Sequence, residues 1–253
     1  MMKNTFALLF LFAIIFSCSE NKSTDNELTE KENNKKQTLE EIIDRHVQSQ
    51  LSIPSTEKYT LHIYKEHLDG DDKIDAIITV NRLNFAYEEA NKSGKYEIRK
   101  ELGFTGHYNY IFYFDGGLNM ISPSIIVPSS PQAELIVKFE NISTSAFKDV
   151  IVDYKIRNSS FRNYYNIMNH SPVQVFQWKL YDYLGEKNVE ANYIEYSNGS
   201  VGLAKDILIF KGKLKNGNNV KDIYNFSPEI EKEGELIHRF FYLDKEGKYF
   251  TKK

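Results

Sequence analysis

Apolar and polar positions divide the chain into three regimes. Phe6 to Phe16 form an apolar run without a charge, residues 19–37 hold Leu28 as their one large apolar side chain, and regular apolar spacing begins at Thr38. The first run is shorter than the roughly 20 residues of a membrane span and suits the core of a signal peptide behind Lys3. The polar stretch cannot bury enough surface to offset its ordering entropy and reads as a flexible tether. Thr38 followed by Glu41 predicts a capping box, and Leu39, Ile42, Ile43, Val47 and Leu51 recur at helical spacing. One amphipathic helix is therefore expected, ending before Pro54, with His46 at its boundary.

From Tyr59 the period changes to short apolar stretches between turn residues, the pattern of antiparallel sheet. Strands are predicted at 59–66, 75–83, 108–114 and 118–127, with a polar, mobile segment at 88–95. Asp115-Gly116-Gly117 makes a tight link, and Pro123, Pro128 and Pro131 mark a subdomain boundary near 130. In 133–140, Leu135, Val137 and Phe139 alternate with Glu134, Lys138 and Glu140, apart from Ile136 on the polar side. In 149–157, Val150, Val152, Tyr154 and Ile156 oppose Asp149, Asp153, Lys155 and Arg157. Phe176, Trp178 and Leu180 share a face of 173–183. Further strands fit 189–196, 204–214, 235–243 and 247–252, and a turn fits 159–168.

The expected fold is thus mostly β (α+β): antiparallel sheets with one N-terminal amphipathic helix, the second half β-sandwich-like. Its expected organisation is a signal peptide at 1–17 and a tether at 18–37. A helix with a small antiparallel sheet follows at 38–130 and a sandwich-like domain at 131–253.

Composition sharpens this picture. Seventeen Tyr and seventeen Phe among 253 residues favour half-buried strands. A net charge of -3 offers no basic face for nucleic acid. The one cysteine, Cys18, excludes an intramolecular disulfide and a thiolate zinc cluster.

The apolar run ends at Ile15-Phe16-Ser17-Cys18 and turns polar at Ser19 and Glu20. This junction resembles the lipobox of bacterial lipoproteins, with Phe16 bulkier than the usual residue there. The resemblance implies diacylglyceryl on the Cys18 thiol, removal of residues 1–17 and acylation of the new amino terminus. The partner would then be a membrane, gripped by several acyl chains at about 0.8 kcal/mol per buried CH₂. Ser19 after the cysteine implies the outer membrane, in either leaflet. The body resembles uncharacterised bacterial envelope lipoproteins.

The segment His67-Leu68-Asp69-Gly70-Asp71-Asp72-Lys73-Ile74-Asp75, running into a strand, resembles the calcium loops of FG-GAP and VCBS repeats. The resemblance implies Ca²⁺ ligation by the Asp69, Asp71 and Asp75 carboxylates and the Lys73 carbonyl. Ca²⁺ takes six to eight oxygens at about 2.3–2.6 Å, which a tight acidic turn can converge. His67 stands at the first ligand position and Asp72 where glycine is usual. Without a metal, Asp69 and Asp71 would cap the turn by Asx hydrogen bonds.

No phosphate loop, nucleophile elbow or helical zinc motif occurs, and no catalytic residue is assigned. His46, His62, His67, His107, His170 and His238 are scattered. Phe161, Arg162, Tyr164 and Tyr165 form an aromatic patch that could stack on a sugar or plug a sheet edge. The leading expectation is a non-enzymatic envelope lipoprotein that binds a protein or glycan partner. A hydrolase of envelope or nutrient polymers and a calcium-stiffened adhesion or assembly module are the alternatives.

Overall fold

The structure, a computed structural model, describes residues 37–216 and 220–251. The expected signal peptide, Cys18 and the tether up to residue 36 lie outside the described residues.

Helix α1 (Leu39–Gln50) starts where the capping box predicts. The Thr38 hydroxyl accepts from the Glu41 N–H at 3.2 Å, and the Thr38 N–H donates to the Glu41 carboxylate at 3.0 Å. Ile43 and Val47 are buried and Leu39 and Leu51 half-buried, so the helix packs by one stripe.

The first sheet is antiparallel: β1 (Thr60–Glu66), β2 (Asp75–Asn81), β3 (Asn109–Asp115), β4 (Met120–Ile121) and β5 (Ile125–Val127), with both β4 and β5 on β3. β2 and β3 are buried along their whole length because both faces are covered. Ala76, Ile78, Val80, Tyr110, Phe112 and Phe114 meet α1. The alternate residues Ile77, Ile111 and Tyr113 meet the second sheet.

Two expectations are corrected here. The predicted strand 118–127 breaks at Ser122-Pro123, where proline offers no N–H and the Ser122 hydroxyl accepts from the Tyr113 N–H at 2.9 Å. The polar segment 88–95 is not a loop. It lies in α2 (Leu83–Lys92) and the lead into α3 (Tyr96–Glu101), separated by Gly94 at φ 66°. α2 buries Ala86 and Ala90, a turn apart, and such small side chains leave no large-apolar periodicity to read.

The second sheet is a meander of β6 (Ile136–Glu140), β7 (Asp149–Ile156), β8 (Ser159–Met168), β9 (Ser171–Asp182), β10 (Glu190–Ser197), β11 (Asp206–Leu214), β12 (Ile230–Leu243) and β13 (Lys248–Phe250). The turn expected at 159–168 is strand β8. It is covered on both faces, Phe161 stacking on Tyr154 on one and Tyr164 packing on Phe176 on the other, so apolar–polar alternation is lost. The aromatic patch therefore dissolves: Tyr164 and Tyr165 are buried on opposite faces.

β9 and β10 are joined by two residue pairs, Asp182 with Glu190 and Tyr181 with Ala191. Past that joint the strands part and the two halves of the meander close on each other. Ile151, Tyr164, Val175 and Phe176 pack against Ile207, Ile209, Phe240 and Tyr249. The fold is mostly β, with a sandwich-like second half.

Leu135, Val150, Val152, Tyr154 and Tyr165, on the other face of β6–β8, share a core with Leu68, Ile77, Ile111 and Tyr113 of the first sheet. β7 is consequently dry on both faces, and Asp149, Asp153 and Lys155 are buried. Between the sheets, the Asn109 amide donates to Ser129 Oγ (2.8 Å) and to the carbonyls of Ser130 and Ala133. The Asn81 amide donates to Asn109 Oδ1 and the Pro131 carbonyl, both at 2.8 Å. The proline-punctuated joint is thus pinned by a satisfied buried network.

Candidate functional site

A cleft of about 970 Å³ lies beside the β9–β10 joint. β7, β8 and β9 supply its floor, β10 a wall, and residues 222–229 a strap ahead of β12. Asp153 and Lys155 are two apart on β7 and so share a face. The register places Arg162 opposite Asp153 and Ser160 opposite Lys155, with Tyr181 next across from Ser160.

Arg162 grips Asp153 with both prongs, Nε–Oδ1 at 2.6 Å and Nη2–Oδ2 at 2.8 Å, and Lys138 Nζ adds a contact at 3.1 Å. Burial works against the Arg162 charge, and the bonds and charge of Asp153 override it, holding the guanidinium above its ordinary pKa. Lys155 is buried differently. Its amine donates to the Tyr224 carbonyl at 2.8 Å and to the Phe226 carbonyl, and it makes no ion pair with the described residues. Burial lowers its pKa to about 8, with the Asp222 charge opposing.

Two further cleft residues hold buried polar atoms. Both ends of the Gln132 amide are without partners, and the Tyr181 hydroxyl makes no well-formed hydrogen bond, with the Ser160 hydroxyl near enough to act on it. Burial pushes the Tyr181 phenol up to about 12, drawn back by the Ser160 hydroxyl. Orphaned buried groups each cost about 1–3 kcal/mol and call for a physical reason.

The strap is fixed at several points besides Lys155. The Asp222 carboxylate accepts from the N–H groups of Tyr224 and Asn225 at 3.1 and 3.0 Å. Ile223 and Phe226 pack on the apolar cluster of Leu180, Tyr181, Leu184 and Leu214. The Tyr224 ring lies over Gly103, where a Cβ would fall 2.1 Å from it and φ is 64°.

The acidic corner forms the second candidate. Asp69, Asp71 and Asp115 each place a carboxylate oxygen within 4.8 Å of the others. Asp69 Oδ1 accepts from the Asp71 N–H at 2.9 Å and Asp71 Oδ1 from the Lys73 N–H at 2.7 Å, the Asx turns expected of this loop. Tyr113 donates its hydroxyl to Asp69 at 3.0 Å, and His170 Nδ1 lies 2.7 Å from Asp115 Oδ2.

Asp75 stands apart from this group. Its buried carboxylate accepts from the Leu68 N–H at 3.1 Å and the Gly116 N–H at 2.9 Å, tying the loop to the β3–β4 turn. Burial raises its pKa. The Lys73 side chain lies 3.8 Å from Asp72 on the exposed surface. Asp115, reached from a distant strand end, was not foreseen, and neither were Gln132, Asp153, Lys155 and Tyr181 in the cleft. The sequence signal for Lys155 was a charge in a strand whose other face is wholly apolar. Comparison with protein-family models, with curated proteins and with solved structures finds no match to the chain.

Proposed function

We propose that the chain is a lipid-anchored envelope protein that works by binding a small polar ligand in the cleft beneath the strap. The anchor rests on the Ile15-Phe16-Ser17-Cys18 junction, which implies lipid on Cys18 and the outer membrane. The observation that carries the binding role is the cleft itself, of small-molecule size and lined by buried groups with unfilled hydrogen-bonding capacity. Binding is favoured over hydrolysis because the floor carboxylate, Asp153, is committed to Arg162 and Lys138 and offers no free base. Two experiments test the two halves. Mass spectrometry of the purified chain should find Cys18 at the amino terminus with added acyl mass; an intact Met1 or a bare thiol sinks the anchor. A thermal-shift screen of small metabolites should find compounds that raise Tm in the native chain but not in Ile136→Trp, which crowds the cleft mouth. Equal shifts in both proteins sink the cleft.

A second reading is favoured by the convergence of Asp69, Asp71 and Asp115: a divalent cation that stiffens this corner, with Asp115 in the role first expected of Asp75. Calcium should then raise Tm and a chelator reverse it, and Asp115→Asn should remove the response. A Tm indifferent to calcium ends this reading.

A further inference from the structure

We propose that the cleft receives an anionic small molecule, a carboxylate or phosphate, with Lys155 as its counter-charge and Tyr181 and Gln132 as its hydrogen-bond donors. The inference rests on reading the cleft as a ligand site and adds the class of ligand.

The charge inventory carries it. Lys138, Lys155 and Arg162 face the cleft from the β6–β8 side, and Asp153 is the one carboxylate there, already shared by Arg162 and Lys138. Glu134 and Glu229 sit at the exposed rim, held by His62 at 3.0 Å and Lys215 at 3.3 Å. Lys155 is left as a buried cation whose bonds go to two neutral carbonyls. A buried ammonium without a counter-ion costs several kcal/mol, and folded proteins ordinarily answer it with a carboxylate. Here no described carboxylate comes within ion-pair distance: Asp222, whose charge favours the ammonium from farther off, only partly offsets the burial that lowers the lysine's pKa.

The free valences agree in sign. Lys155 has a third N–H, the Gln132 amide nitrogen is a buried donor without an acceptor, and the Tyr181 hydroxyl has no well-formed bond beyond its neighbour Ser160. Gln132 Oε1 is an unfilled acceptor, and the Tyr181 oxygen can accept as well as donate, so both suit a hydroxyl or amide beside the acidic group. A cationic ligand would meet like charge, and a neutral one would leave the ammonium unpaired. Carboxylate and phosphate meet the same donors, so their sources are separated by experiment.

Trp178 is the chain's one tryptophan; it packs on Phe176 and Phe240 outside the cleft lining and is paired in register with Arg162 of the floor, so its emission is expected to follow changes at that guanidinium. The full chain in detergent is titrated with succinate, inorganic phosphate or glucose at constant ionic strength. A saturable change is expected with succinate or phosphate, whichever is tighter naming the class, and none with glucose. Lys155→Met should weaken it at least about tenfold, Lys155→Arg should restore much of it, and Tyr181→Phe gives a milder loss should Lys155→Met not fold. At pH 9 the bound anion should draw a proton onto Lys155, seen by calorimetry in two buffers of different ionisation heat.

Saturation by glucose alone overturns the anionic inference and leaves the cleft reading standing. Silence from all three probes overturns both. Anion binding that ignores Lys155→Met, or that takes up no proton at pH 9, places the counter-charge elsewhere and overturns the inference.

Discussion

Arg82 and Glu57 meet in a two-pronged ion pair, both contacts 2.6 Å, with side chains 6% and 4% exposed. Arg82 also donates to the Leu51 carbonyl at 3.2 Å and lies over the Phe85 ring at 4.0 Å. One guanidinium thereby joins the end of α1, the following loop and the start of α2. Removing one partner of such a pair leaves the other charge buried, so Glu57→Gln should cost about 3–5 kcal/mol in urea denaturation. A loss below about 1 kcal/mol would show that water reaches the site.

Lys155 should leave its mark on stability at alkaline pH. Its pKa is about 8 in the folded chain and its ordinary value is 10.5. Below pH 8 both states hold the proton; between the two values only the unfolded chain does, so folding gains as pH rises through this window. The native chain should therefore gain up to about 3 kcal/mol relative to Lys155→Met between pH 7.5 and 10.5. Parallel stability curves for the two proteins would contradict the lowered pKa.

Gly103 should govern the strap. Gly103→Ala brings a Cβ into the Tyr224 ring at a residue whose φ is already 64°. A loss of about 1–3 kcal/mol is expected, with faster amide exchange confined to residues around 222–227. Native exchange rates there would mean that the strap does not depend on this contact.

In the acidic corner, Asp75 and Asp71 should separate cleanly. Asp75→Ala strips the acceptor from two backbone N–H groups, Leu68 and Gly116, and should cost about 2–4 kcal/mol with or without calcium. Asp71→Ala lies at the exposed tip and, in chelator, should change stability by less than about 0.5 kcal/mol. Equal losses would mean that the loop folds as one indivisible unit.

Much of the scaffold was legible because each element declares itself locally. Thr38 and Glu41 announce α1, and Val150, Val152, Tyr154 and Ile156 do take one face of β7 together. What alternation cannot tell is which face is wet. Asp153 and Lys155 read as the solvent side of a strand, and only the folding of the meander onto itself turns that side inward. α2 hid behind its alanines, and β8 behind being covered on both faces. The loop at 67–75 was found by its spacing, yet the residue completing its carboxylate group, Asp115, follows from the pairing of β2 with β3 and has no local signature.

The two-rung joint between β9 and β10 has a mechanical consequence. A book bound by so short a spine opens at little expense in ladder hydrogen bonds. Besides those rungs, the bond from the Lys205 N–H to the Ile142 carbonyl and the hold of Lys155 on two strap carbonyls must also give for its covers to part. The gape of the site is therefore governed by side chains meeting across the pages, so guests of different girth can be admitted by repacking aromatic rings while the ladders inside each cover stay whole.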